Sequence, residues 1–250
     1  MEINNPFSLY GKIILITGAS SGIGRAIAIE CSKMGAQLVI TGRNQVRLND
    51  TFRSLIGGGH IQLTADLSVE QNLNDLIIQL PKLDGCVNNA GIIRPQLLQF
   101  AEKSDILELF ETNTFSSFLL TQKLIQNKKL NKNASIVFTN SISGVYCSAI
   151  GEALYSASKG AINGYLKGLA LEVANRGIRV NSVNPGIIDT NLFKSTSISP
   201  EELEEKRKLY PLKRFGKPNE VAYMVIYLLS DASQWVTGSN LLIDGGYTLQ

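Results

Sequence analysis

The chain has 250 residues, 44% of them hydrophobic and 18% charged, enough apolar material for a sizeable core and too much for a disordered tail. Twenty-four basic against 21 acidic side chains leave a net charge of +3, too balanced to point to a nucleic acid or a membrane surface as partner. No apolar run approaches the roughly 18 residues of a membrane-spanning helix, and the opening decapeptide, with Glu2 and Pro6, does not read as a secretory leader.

In chain order, short runs rich in Val, Ile and Leu predict strands at 12–17, 37–41, 61–65, 83–88, 135–139, 179–183 and 240–243. They mostly lack polar alternation, as strands buried on both faces do. Helix-period stretches lie between them, at 23–34, 48–55, 69–80, 103–127, 155–175 and 219–230. The first carries Ile23, Ile27, Cys31 and Met34 on one stripe and ends at Gly35, a ready C-cap. Strict alternation predicts an α/β fold, a parallel sheet covered on both faces through right-handed crossovers. No linker or repeat interrupts it, so residues 1–250 read as one domain. The one long irregular stretch, 189–216, holds a Ser/Thr run (Ser195 to Ser199) and a charged cluster (Glu201 to Lys208), and is expected to be a lid over a substrate.

Cys31, Cys86 and Cys147 are widely spaced, form no Cys-x-x-Cys, and have only His60 for company, so no metal site is expected and the thiols fit a reducing cytoplasm. His60 follows three glycines and reads as a loop bystander. The first strand runs into Thr17-Gly18-Ala19-Ser20-Ser21-Gly22-Ile23-Gly24 and then directly into a helix. Glycine there lets the backbone turn tightly and approach a pyrophosphate, while free N–H groups at the helix start attract its charge.

This glycine turn, with Asn88-Asn89-Ala90-Gly91 after the fourth strand and Tyr155-Ser-Ala-Ser-Lys159 further on, resembles the short-chain dehydrogenase/reductase family, from about Gly11 to Gly246. The resemblance implies a Rossmann-like, doubly wound seven-stranded sheet in three α/β/α layers. It implies catalytic roles for Asn113, Ser141, Tyr155 and Lys159. Positions i and i+4 share a helix face, so Lys159 should sit near the Tyr155 phenol and lower its pKa from about 10 towards working pH. Tyr155 then exchanges a proton with a carbonyl or alcohol oxygen. Ser141, in Ser-Ile-Ser-Gly, is the candidate to bond the substrate oxygen, with Ser143 as competitor. Asn113 matches the family's helix asparagine that binds a water beside the lysine. By the same resemblance Gly18, Ser20, Ser21, Gly22, Ile23 and Gly24 meet the cofactor phosphates, Asp66 and Leu67 the adenine, and Asn89, Ala90 and Gly91 the ribose side. Tyr155 and Lys159 also touch the cofactor, and Pro185, Gly186, Ile188 and Thr190 face the nicotinamide. Gly245 and Gly246 either belong to the family's ending or form a plain strand-end turn.

The second strand ends Thr41-Gly42-Arg43, with glycine where an NAD-binding chain places an acid. A carboxylate would repel a 2′-phosphate and a guanidinium can grip it, so NADP(H) is the expected cofactor. The nearest general resemblance is to 3-oxoacyl-(acyl-carrier-protein) reductases, through Gly216-Lys-Pro-Asn-Glu220-Val-Ala and Asp244-Gly-Gly; sugar and polyol dehydrogenases end the same way. The expected substrate is a small-molecule or carrier-bound carbonyl, and the rival reading is a non-catalytic NADP sensor. Lys128, Lys129, Lys132 and Arg176 offer either a basic dock for an acidic carrier or ordinary solvated charges. Cys147 and Tyr146 are expected to border the pocket. A homotetramer is expected by resemblance, and Ala157, Ala161, Gly164 and Gly168 form a small-residue stripe that packs on another helix or on the chain's own sheet.

Overall fold

A computed structural model describes residues 5–190 and 199–249. Seven strands, β1 (Ile13–Ile16), β2 (Gln37–Gly42), β3 (Ile61–Thr64), β4 (Leu83–Asn88), β5 (Leu130–Thr139), β6 (Arg179–Pro185) and β7 (Asn240–Ile243), form one sheet in the order β3-β2-β1-β4-β5-β6-β7. Every neighbouring pair is parallel, as buried Val/Ile/Leu runs require. The helices are α1 (Gly22–Lys33), α2 (Gln45–Arg53), α3 (Glu70–Gln79), α4 (Lys103–Phe110), α5 (Ser116–Gln126), α6 (Ala153–Val173), α7 (Pro200–Lys208) and α8 (Pro218–Leu229).

Alternate residues of the strands feed two cores. Leu15, Cys86, Ile136, Phe138 and Val180 pack under α3, α5 and α6 with Leu76, Leu120 and Leu166. Ile14, Ile16, Val87, Val137 and Val183 pack under α1, α2 and α8 with Ile27, Leu48 and Val225. The architecture is therefore the three-layer, doubly wound α/β sheet read from the alternation, with all seven strands in place.

Three local readings need correction. The expected helix 103–127 is interrupted at Glu111–Phe115 by a π-helical turn, which widens the helix where Asn113 turns inward. β5 starts five residues early, at Leu130, because Leu130 and Ala134 are buried while Asn131, Lys132 and Asn133 between them are polar. Tyr146 does not border the cleft described below; its hydroxyl donates to the Asn240 carbonyl at 2.9 Å. His60, by contrast, is the structural loop residue expected, its Nδ1 accepting from the Leu38 N–H at 3.1 Å.

Burial pushes the Cys31 and Cys86 thiols up, Cys86 to about 12, which leaves both unreactive. Among the described residues no group of three or more His, Cys, Asp and Glu could hold a metal, and no helix is long and apolar enough to cross a membrane. Gly245 and Gly246 form a strand-end turn with positive φ, held by the Asp244 carboxylate accepting from the Gly246 and Thr248 N–H groups. The stripe on α6 faces outward, and a side chain at Gly164 or Gly168 would meet nothing within 4 Å. Of the four bases weighed as a dock, Lys129 and Arg176 are spent on the Leu80 and Leu130 carbonyls, and all four flank the start of β5. That is the amino end of the strands, opposite the cleft, so the cluster reads as ordinary surface charge.

Most of the Ser/Thr run in 189–216 (Ser195 to Ser197) lies outside the described residues. The two ends of that stretch are tied together: Asp189 N–H donates to the Gly216 carbonyl at 2.8 Å and Gly216 N–H to the Ile187 carbonyl at 3.0 Å. Tyr210 and Phe215, buried edge to face, anchor the stretch to the body of the fold.

Candidate active site

A cleft of about 960 Å³ runs along the carboxyl ends of β1 to β6. This is where an open α/β sheet places ligands, at the point where the strand order reverses between β1 and β4. Nineteen sequence-predicted site residues line it: Gly18, Ser20, Ser21, Gly22, Ile23, Gly24, Arg43, Asp66, Leu67, Asn89, Ala90, Gly91, Ser141, Tyr155, Lys159, Pro185, Gly186, Ile188 and Thr190.

At the β1–α1 turn, Gly18 and Gly22 have φ of 64° and 54°, the left-handed region that glycine enters without penalty. A Cβ on Gly24 would run into the Gly18 carbonyl and the Asn89 side chain, so glycine there lets α1 close onto the strand. Thr17 Oγ1 ties this turn to the next one, accepting from the Asn89 and Ala90 N–H groups at 2.9 and 3.0 Å. The first turn of α1 holds no acidic side chain, which leaves its N–H groups open to an anion.

Where β2 ends, Gly42 backs onto Ser20 and Arg43 stands exposed, 3.9 Å from the Asp66 carboxylate. Asn44 and Arg47 line the cleft beside it and belong to none of the sequence motifs. The available signal was Asn44, an N-cap whose side chain accepts from the Arg47 N–H at 2.9 Å and starts α2 three residues earlier than the apolar pattern does.

At the other end, β5 and α6 bring Ser141, Tyr155 and Lys159 together. Ser141 shares a side-chain hydrogen bond with the Tyr155 hydroxyl. Its Oγ also accepts from the Ser143 N–H at 3.1 Å, while Ser143 turns away to donate to Glu152 at 2.7 Å. Ser141, not Ser143, is therefore the serine beside the tyrosine. Lys159, 5% exposed, donates to the Thr139 carbonyl at 3.1 Å, with Nζ 5.9 Å from the centre of the Tyr155 ring.

The electrostatics differ from the expected pattern. Burial pushes the Tyr155 phenol up to about 12, Glu152 adds to the rise, and only the Ser141 hydrogen bond opposes it. Burial likewise lowers the Lys159 ammonium to about 8. Desolvation dominates at both groups, so Tyr155 is held protonated instead of being drawn towards the phenolate.

Among the residues expected to act in catalysis or hold the cofactor, Asn113 alone does not line the cleft. Its Oδ1 accepts from the Ile92 N–H at 2.7 Å, and its Nδ2 donates to the Ile92 carbonyl at 2.9 Å and to Ser158 Oγ at 3.2 Å. These bonds position the segment after β4 against α6. Glu152, Lys206, Leu209 and Tyr247 line the substrate end and belong to no sequence motif.

These features define a nucleotide-binding oxidoreductase of the doubly wound class. The enoyl-(acyl carrier protein) reductase family model matches residues 18–248. Carbonyl reductase family member 4 of Danio rerio is 37% identical over 242 residues, covering 95% of this chain and 98% of that protein. The 3-oxoacyl-(acyl-carrier-protein) reductase of Thermotoga maritima is 35% identical over 248 residues, covering 96% and 99%. A solved short-chain dehydrogenase/reductase from Serratia marcescens superimposes with a TM-score of 0.89 at 29% identity, covering 98% of this chain and 100% of that one. The chain belongs to the short-chain dehydrogenase/reductase family, nicotinamide-dependent oxidoreductases, and within it is similar to the 3-oxoacyl-carrier reductases and carbonyl reductases.

Proposed function

We propose that the protein is an NADP-dependent carbonyl reductase acting on 3-oxoacyl-type substrates, small or carrier-bound, with Tyr155 as proton donor. The observation that carries this reading is the meeting of Ser141, Tyr155 and Lys159 in one cleft with the glycine turn. The cleft fits the cofactor: a tight glycine turn in which Gly18 and Gly24 leave no room for a side chain, an α1 N-terminus free of acids, and Arg43 with Arg47 at the far end. The bound nicotinamide would supply a hydride to the carbonyl carbon.

The chain's own residues do the rest. Tyr155, held protonated near neutral pH, gives its proton to the substrate oxygen, the form that reduction needs. Ser141 Oγ, fixed by the Ser143 N–H, orients that oxygen. Lys159 stands beneath the Tyr155 ring, held by the Thr139 carbonyl. Gly42 and Arg43 favour the 2′-phosphate of NADP through the absence of a carboxylate and the presence of a guanidinium.

In this reading residues 1–250 form a single cytoplasmic domain with a lid at about 189–216. The outward stripe on α6 and the exposed Phe115 and Leu119 of the neighbouring helix support assembly as a homotetramer. The complete Ser141–Tyr155–Lys159 set speaks against a cofactor sensor without turnover. The test is Tyr155→Phe, which keeps the ring and removes the donor. NADPH-dependent reduction of an acetoacetyl thioester should fall by roughly a hundredfold or more with NADPH binding retained; near-normal turnover would overturn the mechanism.

A further inference from the structure

The substrate end of the cleft carries one carboxylate that the proposed reduction does not use. Glu152 is the last residue before α6, three before Tyr155, and so lies about one turn away on the same face. Its carboxylate accepts from Ser143 Oγ at 2.7 Å, Ser143 N–H donates to Ser141 Oγ, and Ser141 bonds Tyr155. Glu152 is thereby fixed within the group that meets the substrate oxygen.

One hydrogen bond uses only part of what a carboxylate can accept, about four lone-pair sites. Glu152 has no ion-pair partner among the described residues. Ile92, Ile93, Pro95, Ala149 and Leu209 line the same cleft and make part of its wall apolar. Of the cations at this end, Lys159 is committed to the Thr139 carbonyl and Lys206 stands exposed on α7. Glu152 also raises the pKa of both Tyr155 and Cys147, so its charge is felt across the pocket.

We propose that Glu152 is a specificity-determining residue: it accepts a hydrogen bond from a neutral donor, a hydroxyl or an amide N–H, carried close to the reacting carbonyl, and turns away substrates with a carboxylate there. The inference rests on the carbonyl-reductase reading and narrows its substrate. An acceptor that a bound substrate covers without offering it a donor is costly, and two carboxylates a few ångströms apart in such a cleft repel strongly.

The test compares kcat/KM within matched pairs for the parent, Glu152→Gln and Glu152→Ala. The pairs are 1-hydroxy-2-butanone against 2-butanone for the hydroxyl, and the acetoacetyl thioester of N-acetylcysteamine against that of ethanethiol for the amide. Acetoacetate against ethyl acetoacetate probes the carboxylate. The parent should favour the donor-bearing member of at least one of the first two pairs by about tenfold or more, and that pair names the donor. Glu152→Gln should lessen this preference and Glu152→Ala abolish it, and both should raise acetoacetate relative to its ester by about tenfold. Because each readout is a ratio, a general loss of active protein cancels. Measurable turnover with ratios unchanged in both variants would overturn the role of Glu152 and leave the reductase reading intact. A parent that reduces no carbonyl would overturn that reading and this inference with it.

Discussion

Replacing Lys159 by methionine should make the protein more stable while disabling it. Lys159 is 5% exposed, and burial brings its ammonium from 10.5 to about 8. At 1.36 kcal/mol for each pKa unit, holding that charge inside the fold at neutral pH costs roughly 3 kcal/mol. Methionine keeps the unbranched stem and loses the charge. It also strips the Thr139 carbonyl of its donor, a loss of about 1 kcal/mol, so the net gain should be about 2 kcal/mol. For a chain of this length that is roughly 4–8 °C in Tm. The pH dependence identifies the cause. Between about pH 8 and 10.5 the unfolded chain holds a proton that the folded one has released, so the parent gains stability as pH rises through that window. By about pH 10.5 most of the variant's advantage should be gone. Thermal or urea unfolding of both proteins at the two pH values measures this. A variant no more stable than the parent near pH 7, or an advantage that persists undiminished at high pH, would refute the reasoning.

Cofactor choice should turn on the end of β2. Gly42→Asp combined with Arg43→Ala places a carboxylate where the 2′-phosphate would sit and removes one charged contact; the nearest neighbour of the new Cβ is Ser20, its Oγ at 3.3 Å and its Cβ at 3.4 Å. The ratio of kcat/KM for NADPH over NADH should fall by at least about tenfold, and an NADH-preferring parent or an unmoved ratio would contradict the assignment. Gly24→Ala forces its methyl against the Gly18 carbonyl and the Asn89 side chain, so the turn must open. The Kd for NADPH, read by fluorescence titration, should weaken by roughly tenfold or more, and a parent-like Kd would mean that the turn is not the phosphate cradle.

The inner strands are legible in the sequence because they are short apolar runs that both helical layers cover, a pattern that needs no knowledge of the neighbours; the edge strands β3 and β7 are only partly buried. The cleft residues are legible where they fall in motifs, as at Gly18 to Gly24 and Tyr155 to Lys159. What escapes depends on contacts made at long range. The π-helical turn at Asn113 adds no unusual residue to the sequence; its reason is the Ile92 backbone, 21 positions away. The high pKa of Tyr155 follows from how deeply α6 is packed, which the i, i+4 spacing of Tyr155 and Lys159 does not encode. Glu152 looks like any surface acid before a helix until the loop after β5 brings Ser143 to it. Arg47 escapes for a nearer reason: the apolar pattern opens α2 at Leu48, although Asn44 has already capped it.

The strand order has a consequence for how the chain reaches this structure. β1 lies inside the sheet, yet its neighbour β4 is made about 70 residues later, with Thr17 N–H meeting the Val87 carbonyl. The first helix is covered by the last: Ile27 and Cys31 of α1 share a core with Val221, Val225 and Leu229 of α8. Pro6 and Lys12 reach across to Ala232 and Asp231, near the far end of the sequence. Contacts of such high sequence separation carry a large loop-closure cost and make folding slow. During synthesis the apolar faces of β1 and α1 must wait, uncovered, for nearly the entire polypeptide to emerge, and a ribosome stalled before α8 leaves a product that sticks to its neighbours.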